Sequence, residues 1–264
     1  MLESLYETAH RWTPTWIKEM ARTAGARASC QIGRLPSVEL LGTHLRALFS
    51  QREINCVFDV GAHVGQYGRF LRNIGYTGRI VSFEPVLANF ARLEQLCAGD
   101  PNWTALRVAL GNQEGTRPIN VACVTQFSSF LSPSRYSLDE FAGYSDVERT
   151  ETVEMTRLDR VFPKVTRGLS EPRVFLKLDT QGYDINVLDG AADCLPFVTA
   201  LQSELSVKPL YDDMTDYLHA MSYLNRKGFE PTGVFPVVRD KHLRIMEFDC
   251  VMVASPSSVP PTSR

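Results

Sequence analysis

The stretch INCVFDVGAHVG, residues 54–65, joins an apolar run to a turn that carries two glycines. Gly61 and Gly65 follow the apolar run at the spacing D-x-G-x-x-x-G. The dinucleotide fingerprint G-x-G-x-x-G would need glycine at two positions that hold His63 and Gln66. The spacing therefore favours a ligand without a pyrophosphate, and a tight turn that binds no ligand is the alternative interpretation.

Strand and helix patterns alternate downstream of this stretch. Apolar runs at 54–60, 79–83 and 104–110 are separated by helical patterns at 66–74 and 86–97. This β-α-β-α-β order predicts an α/β fold with a parallel sheet, covered by helices and joined by right-handed crossovers. Later elements are predicted as strands at 119–124, 151–155, 174–178, 198–205, 230–238 and 243–253, and as helices at 183–188 and 215–227.

Changes in pattern divide the chain into three parts. Residues 1–50 carry three apolar stripes at helical spacing, which predict an N-terminal helical extension packed on the main domain. A lid over a binding site, or a homodimer surface, is the alternative for this extension. Residues 51–254 form the predicted main domain. The segment 255–264 is rich in Ser and Pro and is predicted to be a disordered tail.

Composition limits the classes of function. The 264 residues are 44% hydrophobic and 22% charged, as in ordinary globular proteins, and the net charge is −2. Because a near-neutral chain has no global attraction for nucleic acid or anionic lipid, no nucleic-acid partner is expected. No apolar run approaches the roughly 20 residues of a membrane helix.

The cysteines and the N-terminal segment indicate the cellular compartment in which the protein is expected. Six cysteines are scattered along the chain without a C-x-x-C pair. This distribution argues against a zinc ribbon and predicts reduced thiols in the core. The N-terminal segment lacks the apolar run of a signal peptide, and the expected localisation is the cytoplasm.

Candidate cofactor ligands stand at the ends of the predicted strands. Glu84 closes the second strand, 19 residues after Gly65, and its carboxylate could accept both hydroxyls of a ribose. The alternative is that Glu84 only caps the helix that Pro85 begins. Ala109 and Leu110 close the third predicted strand, where small residues leave room for an adenine ring.

The segment FLKLDTQGYDINVLDGA, residues 175–191, resembles the hallmark of the FkbM family, whose pattern is roughly K-x-D-x-E-G-x-E-x-x-V-L-x-G-A. The stretches RLD at 157–159 and LQSEL at 201–205 also resemble that family, and the likeness runs from about 57 to 253. The resemblance implies a Rossmann-like class I methyltransferase with a mostly parallel seven-stranded sheet. It also implies S-adenosyl-L-methionine as cofactor and a hydroxyl of a saccharide or specialised metabolite as methyl acceptor.

Two positions depart from the family pattern. Gln181 stands where the family usually has Glu, and Asp184 replaces a second Glu. Glutamine keeps hydrogen bonding but cannot act as a base. The predicted catalytic residues are therefore Asp179 and Glu204, each at the end of a strand, with Lys177 tuning Asp179 from the same strand face.

The remaining site predictions follow from these positions. Asp179 and Glu204 could instead hold a divalent cation such as Mg²⁺, and His63 is a second, less favoured base. The serine- and aromatic-rich stretch 127–144 is the expected acceptor loop, with an ordinary connection as the alternative.

Predicted substrate-binding residues are Ser128, Ser129, Gln181 and Tyr211. Predicted cofactor-binding residues are Asp59, Gly61, Ala62, His63, Gly65, Gln66, Tyr67, Glu84, Pro85, Ala109, Leu110 and Asp179.

Two alternative functions stay open from the sequence. Loss of the family's carboxylate at Gln181 would suit a catalytically impaired scaffold or partner subunit. N-methylation is less favoured, because Asp179 is followed by Thr-Gln-Gly and not by a Pro-Pro-Tyr/Phe motif.

Overall fold

The computed structural model describes residues 30–31 and 36–255. The helical stripes predicted before residue 30 and the predicted tail at 256–264 lie outside the described residues. In chain order, the strands are β1 (Cys30–Gln31), β2 (Cys56–Val60), β3 (Arg79–Phe83), β4 (Trp103–Leu106), β5 (Ala109–Leu110), β6 (Gly115–Ala122), β7 (Val147–Thr156), β8 (Val174–Leu178), β9 (Val198–Ser206), β10 (Phe229–Asp240) and β11 (Ile245–Ala254). The helices are α1 (Pro36–Gln51), α2 (Gln66–Asn73), α3 (Leu87–Cys97), α4 (Arg135–Glu140), α5 (Leu158–Val165), α6 (Asp184–Asp189) and α7 (Tyr217–Arg226).

The main sheet has the strand order β1-β10-β11-β9-β8-β2-β3-β4. Strands β9, β8, β2, β3 and β4 pair in parallel, and β11 lies antiparallel to both β9 and β10. Apart from the two-residue edge strand β1, this is the mostly parallel seven-stranded sheet that the sequence predicts. The chain runs outward from β2 in one direction and from β8 in the other, so a ligand crevice is expected where these two strands end.

Both faces of the sheet are buried. Alternate residues of β2 belong to different clusters, with Phe58 on one face and Val57 on the other. Helix α1 covers the second face, where the rings of Phe49 and Phe175 lie 4.9 Å apart and Leu45 is fully buried. The buried residues of α1, namely Leu41, Leu45, Leu48 and Phe49, therefore belong to the hydrophobic core of the main domain.

A second, three-stranded sheet has the order β5-β7-β6. The strand predicted at 104–110 is wrong as one element, because the chain leaves β4 after Leu106 and Ala109 pairs with Met155 of β7. The structure also corrects the irregular middle segment. It contains a 3₁₀ turn at Thr125–Phe127 and helix α4, whose N-cap Ser134 accepts a hydrogen bond from the Ser137 N–H.

The five cysteines whose side chains the structure describes are free thiols. Four of them are buried, as predicted, namely Cys56, Cys97, Cys194 and Cys250. Cys123 is exposed, which corrects its assignment to the core. Within residues 30–31 and 36–255, no helix is both long and apolar enough to cross a membrane.

Candidate active site

One cavity lies at the carboxyl ends of β2, β3, β8 and β9, where the crevice is expected. Its first wall comes from the β2 and β3 ends and the segment after β4, and includes Gly61, His63, Glu84, Pro85, Val86, Asn89, Val108, Ala109 and Leu110. The opposite wall includes Phe127, Ser128, Ser129, Phe130, Phe141, Asp179, Gln181, Tyr183, Glu204, Val238 and Glu247. The first wall is called the cofactor wall below, and the second the acceptor wall, after the roles that the sequence predicts for their residues.

The turn after β2 is shaped by close approach of two backbones. Gly61 has φ of 79°, and a Cβ built on it would lie 1.9 Å from the Asp179 carbonyl oxygen. Only glycine fits such a contact at positive φ. Gly65 also has positive φ, but its nearest neighbours are the side chains of Leu96 and Leu93. Gly61 thus brings the β2 and β8 ends together, while Gly65 permits packing of α2 on α3.

Glu84 is buried at the end of β3 and faces the cavity. One carboxylate oxygen accepts the His63 N–H at 2.8 Å, and the other accepts the Val86 N–H at 2.8 Å, just before α3. Burial raises the pKa of Glu84 to about 7, against the lowering effect of these two hydrogen bonds. A carboxylate offers about four acceptor positions, so Glu84 anchors the N-cap residue Val86 through its backbone N–H and retains capacity for ligand hydroxyls.

Five predicted cofactor-binding residues lie off the cavity wall. Asp59 is buried beneath the turn, where it accepts a hydrogen bond from Ser82 Oγ at 3.0 Å, and burial raises its pKa to about 6. The Tyr67 hydroxyl donates to Gln202 at 2.8 Å, on the far side of Lys177. The others are Ala62, Gly65 and Gln66.

His63 links the two walls. Its Nε2 lies 2.7 Å from Thr125 Oγ1, and its Nδ1 lies 2.9 Å from the Gln66 amide nitrogen. The Thr125 hydroxyl donates in turn to Asn89 at 3.2 Å. This chain of donors fits a neutral ring with its proton on Nε2, and burial lowers the pKa of His63. Both ring nitrogens are therefore engaged by protein groups.

Lys177 lies behind the acceptor wall and not in it. Its buried ammonium is 3.2 Å from Asp179 and 3.9 Å from Asp249, and donates to the Leu178 carbonyl at 3.1 Å. Burial lowers the pKa of Lys177, but the Asp179 and Asp249 carboxylates outweigh burial and raise it overall. Lys177 is therefore a fixed positive charge beside Asp179.

Gln181 brings the predicted catalytic carboxylates together. Its amide nitrogen is 3.1 Å from Asp179 Oδ1 and 3.1 Å from Glu204 Oε2. Its amide oxygen accepts the Tyr211 hydroxyl at 2.7 Å, and its backbone carbonyl accepts the Ser129 hydroxyl at 2.8 Å. Tyr211, predicted to bind substrate, does not line the cavity. It contacts Gln181, which does.

Glu204 and Glu247 are two nearby buried carboxyl groups, and both have a raised pKa. Burial raises the pKa of Glu204 well above its ordinary range, and the nearby Asp179 and Glu247 carboxylates add to that effect. Glu247 is buried on β11, accepts the Ser206 hydroxyl at 2.8 Å, and has its pKa raised to about 7 by burial.

Sequence reasoning missed Glu247 and Val238 on the same wall. Glu247 could have been found, because it is an acidic residue in the largely apolar strand β11. Phe141 lies just after α4, within the stretch 127–144 that the sequence predicts as the acceptor loop, and it lines the cavity.

The residues present do not fit a magnesium ion between Asp179 and Glu204. Mg²⁺ requires a near-octahedral shell of oxygen ligands. Here the Gln181 amide nitrogen lies between the two carboxylates, and the Lys177 ammonium occupies the other Asp179 oxygen. In the described part of the chain, no group of three or more His, Cys, Asp or Glu side chains is placed to hold a metal ion.

The strand order, with β11 antiparallel between β9 and β10, and the cavity at the carboxyl ends of β2, β3 and β8 define a Rossmann-like class I methyltransferase. The sequence profile described as "Methyltransferase FkbM domain" matches residues 59–231, which is more than half of the chain. The chain belongs to the FkbM methyltransferase family.

Solved structures with a similar fold include several methyltransferases. Aeropyrum pernix fibrillarin, in complex with natively bound S-adenosyl-L-methionine, is 12% identical, with a TM-score of 0.44 over 87% of this chain and 85% of that one. An rRNA methylase from Streptococcus thermophilus is 10% identical, with a TM-score of 0.43 over 81% and 97%. Precorrin-6y C5,15-methyltransferase from Geobacter metallireducens is 12% identical, with a TM-score of 0.40 over 80% and 88%. No curated protein matches the sequence.

Proposed function

We propose that the protein is an S-adenosyl-L-methionine-dependent O-methyltransferase that acts on a hydroxyl of a saccharide or specialised metabolite. The observation that carries this proposal is the continuity of one cavity, which has Glu84 on the cofactor wall and Asp179 and Glu204 on the acceptor wall. A cofactor held at the first wall would therefore present its methyl group to an acceptor at the second.

The cofactor wall suits an adenosine. The Glu84 carboxylate would accept the two ribose hydroxyls, since it keeps free acceptor positions on the cavity side. Val108, Ala109 and Leu110 form a buried apolar surface beside it, on which an adenine ring would lie. The cofactor's sulfonium would then point along the cavity toward Asp179.

The acceptor wall suits proton transfer from a hydroxyl. In-line attack by the acceptor oxygen forms a C–O bond as the S–CH₃ bond breaks, and its electron pair neutralises the sulfonium. The hydroxyl proton must leave, and Glu204 is the proposed acceptor of that proton. Its raised pKa brings the carboxylate closer to the basicity that a general base needs near neutral pH. Asp179, held by Lys177, would supply a fixed negative charge near the sulfonium.

The same wall indicates the kind of acceptor. Phe127, Phe130 and Phe141 offer ring surfaces and Ser128 offers a hydroxyl, whereas the Ser129 hydroxyl is bonded to the Gln181 carbonyl. Apolar faces combined with small polar groups match a polyhydroxylated ring or a decorated natural product.

An assay of methyl transfer tests this proposal. The full chain would be incubated with S-adenosyl-L-methionine and a panel of saccharides and polyketides, and S-adenosyl-L-homocysteine release measured together with the mass of the product. We expect release that depends on a hydroxylated acceptor. Transfer only to amines would favour N-methylation, and absence of cofactor binding by folded protein would favour a scaffold.

A further inference from the structure

The side chain of Gln181 sits between two carboxylates that would otherwise face each other directly. Its nitrogen is equidistant, at 3.1 Å, from Asp179 Oδ1 and Glu204 Oε2. An amide NH₂ group has two donors, and each carboxylate offers an acceptor. One neutral side chain therefore satisfies both acidic groups.

The hydrogen-bond network agrees with the way in which the amide points. The hydroxyl of the buried residue Tyr211 lies 2.7 Å from the Gln181 amide oxygen and 3.0 Å from the Phe127 carbonyl oxygen, so the amide oxygen is the nearer of two acceptors for its one proton. With the amide reversed, its oxygen would face two ionised carboxylates, and no donor would lie between them. The observed orientation is thus the one compatible with negative charge on Asp179 and Glu204.

The backbone of Gln181 is also held in place. Its φ of 53° lies in the left-handed region, which is uncommon for residues other than glycine. The buried Ser129 hydroxyl donates to the Gln181 carbonyl at 2.8 Å, and Ser129 itself lies on the acceptor wall. Such a conformation persists only where surrounding contacts determine it, so the amide is placed by the acceptor loop.

We propose that Gln181 is a positioning residue, whose amide joins Asp179 to Glu204 and occupies the place that a bridging divalent cation would take. A glutamate at this position, as in the family pattern, would put a third acceptor-only group against the other two carboxylates, and that arrangement would need a proton or a cation. The amide supplies the missing donors from within the chain.

The catalytic part of this inference rests on the proposed O-methyltransferase function, because a positioning role presupposes a reaction. Uptake of a metal ion can be measured without cofactor or acceptor. A failure of the methyl-transfer proposal is therefore distinguishable from a failure of this one.

Manganese binding, followed by electron paramagnetic resonance of free Mn²⁺, is the direct test. The full chain and its Gln181→Glu variant would each be titrated with Mn²⁺ alone. We expect the natural sequence to leave the free-ion signal unchanged and Gln181→Glu to take up one ion. Gln113→Glu, which makes the same chemical change at an exposed position, is the matched control and should take up none.

Equal behaviour of the natural protein and Gln181→Glu, whether both bind Mn²⁺ or neither does, would overturn the proposal. The proposal would also be overturned if the natural protein took up Mn²⁺ and Glu204→Gln did not, because the cation would then displace the amide. Thermal unfolding by circular dichroism would establish that each variant is folded.

A second variant keeps the proposal testable if Gln181→Glu does not fold. Tyr211→Phe removes the hydroxyl that orients the amide and retains the ring. We expect kcat to fall by about tenfold, while KM for S-adenosyl-L-methionine and the thermal midpoint change little. A purely structural role would instead lower the midpoint and leave kcat unchanged, and that result would contradict a positioning role.

Discussion

At the scale of single residues, Glu84 carries the cofactor assignment. Its carboxylate already accepts two backbone N–H groups, so substitution must keep the turn intact to be informative. Glu84→Gln retains the shape and removes the charge. We expect the affinity for S-adenosyl-L-homocysteine to fall by at least about tenfold, because hydrogen bonds to a charged group contribute about 1.5–3 kcal/mol. Calorimetric titration measures this, and unchanged affinity would exclude ribose recognition by Glu84.

The raised pKa of Glu84 predicts how cofactor affinity depends on pH. Ribose hydroxyls donate to the ionised carboxylate, and burial raises its pKa to about 7 in the free protein. Affinity should therefore be full above pH 7 and decrease as the pH falls through that value. Titrations between about pH 6 and pH 8 check the direction. The dependence should vanish in Glu84→Gln, and an opposite slope would contradict the assignment.

The two carboxylates of the acceptor wall should affect turnover more than cofactor affinity. Glu204→Gln removes the proposed base, and we expect kcat to fall by about 10²–10⁴-fold. Asp179→Asn should also lower kcat, since the charge beside the sulfonium is lost. Affinity for S-adenosyl-L-homocysteine should stay within about threefold in Glu204→Gln. Glu114→Gln, at an exposed position, is the control. Full activity of both site variants would show that neither carboxylate moves the proton.

The presence of a residue at the cavity was predictable where the residue stands at the end of a predicted strand. Glu84, Asp179 and Glu204 close strands that the sequence shows, and the ends of neighbouring parallel strands meet. Glu247 was not predictable in the same way, because the position of an antiparallel strand within the sheet is a long-range property. The contacts of Gln181 depend on its left-handed backbone conformation. No local sequence pattern predicts that conformation for a glutamine.

At the scale of elements, the β2 turn is the contact on which the site depends. Gly61→Ala would place a Cβ 1.9 Å from the Asp179 carbonyl oxygen, so the ends of β2 and β8 would have to separate. We expect a loss of more than about 2 kcal/mol in the free energy of unfolding. Urea denaturation measures it.

Gly75→Ala is the matched control for that substitution. Gly75 also has positive φ, 90°, but a Cβ there would meet no atom within 4 Å. It should cost only the conformational strain, about 1 kcal/mol. Equal destabilisation by the two substitutions would mean that the contact between the β2 and β8 ends is not important for stability.

The elements around the cavity were predicted unevenly. Helix α2 and strand β3 match their sequence predictions within a residue or two, because local periodicity and flanking glycines mark them. The segment 104–110 reads as a single apolar strand, but tertiary pairing divides it between two sheets. Local pattern could not show that division, which places Ala109 and Leu110 on the cofactor wall.

At the scale of the whole molecule, helix α1 joins the segment before β2 to the core. Leu45 of this helix is fully buried, whereas Leu40 is 60% exposed. We expect Leu45→Ala to lower the free energy of unfolding by about 2–5 kcal/mol and Leu40→Ala by less than about 0.5 kcal/mol. Chemical denaturation compares the two. Similar small effects would mean that α1 is a separable extension.

The number of strands in the main sheet was predictable only through the family resemblance, and their order was not predicted. Alternating patterns favour a parallel sheet but do not say which strands neighbour each other. The resemblance of residues 175–191 to the FkbM hallmark implied a mostly parallel sheet of seven strands, and the strand order is known only from the pairing in the structure.

The central claim is that this cavity binds S-adenosyl-L-methionine, and calorimetric titration of the full chain tests it most directly. The account predicts saturable one-to-one binding of S-adenosyl-L-methionine and S-adenosyl-L-homocysteine at micromolar concentrations, weakened in Glu84→Gln and unaffected by magnesium. A well-folded protein that binds neither ligand would contradict the account, as would binding that Glu84→Gln leaves unchanged.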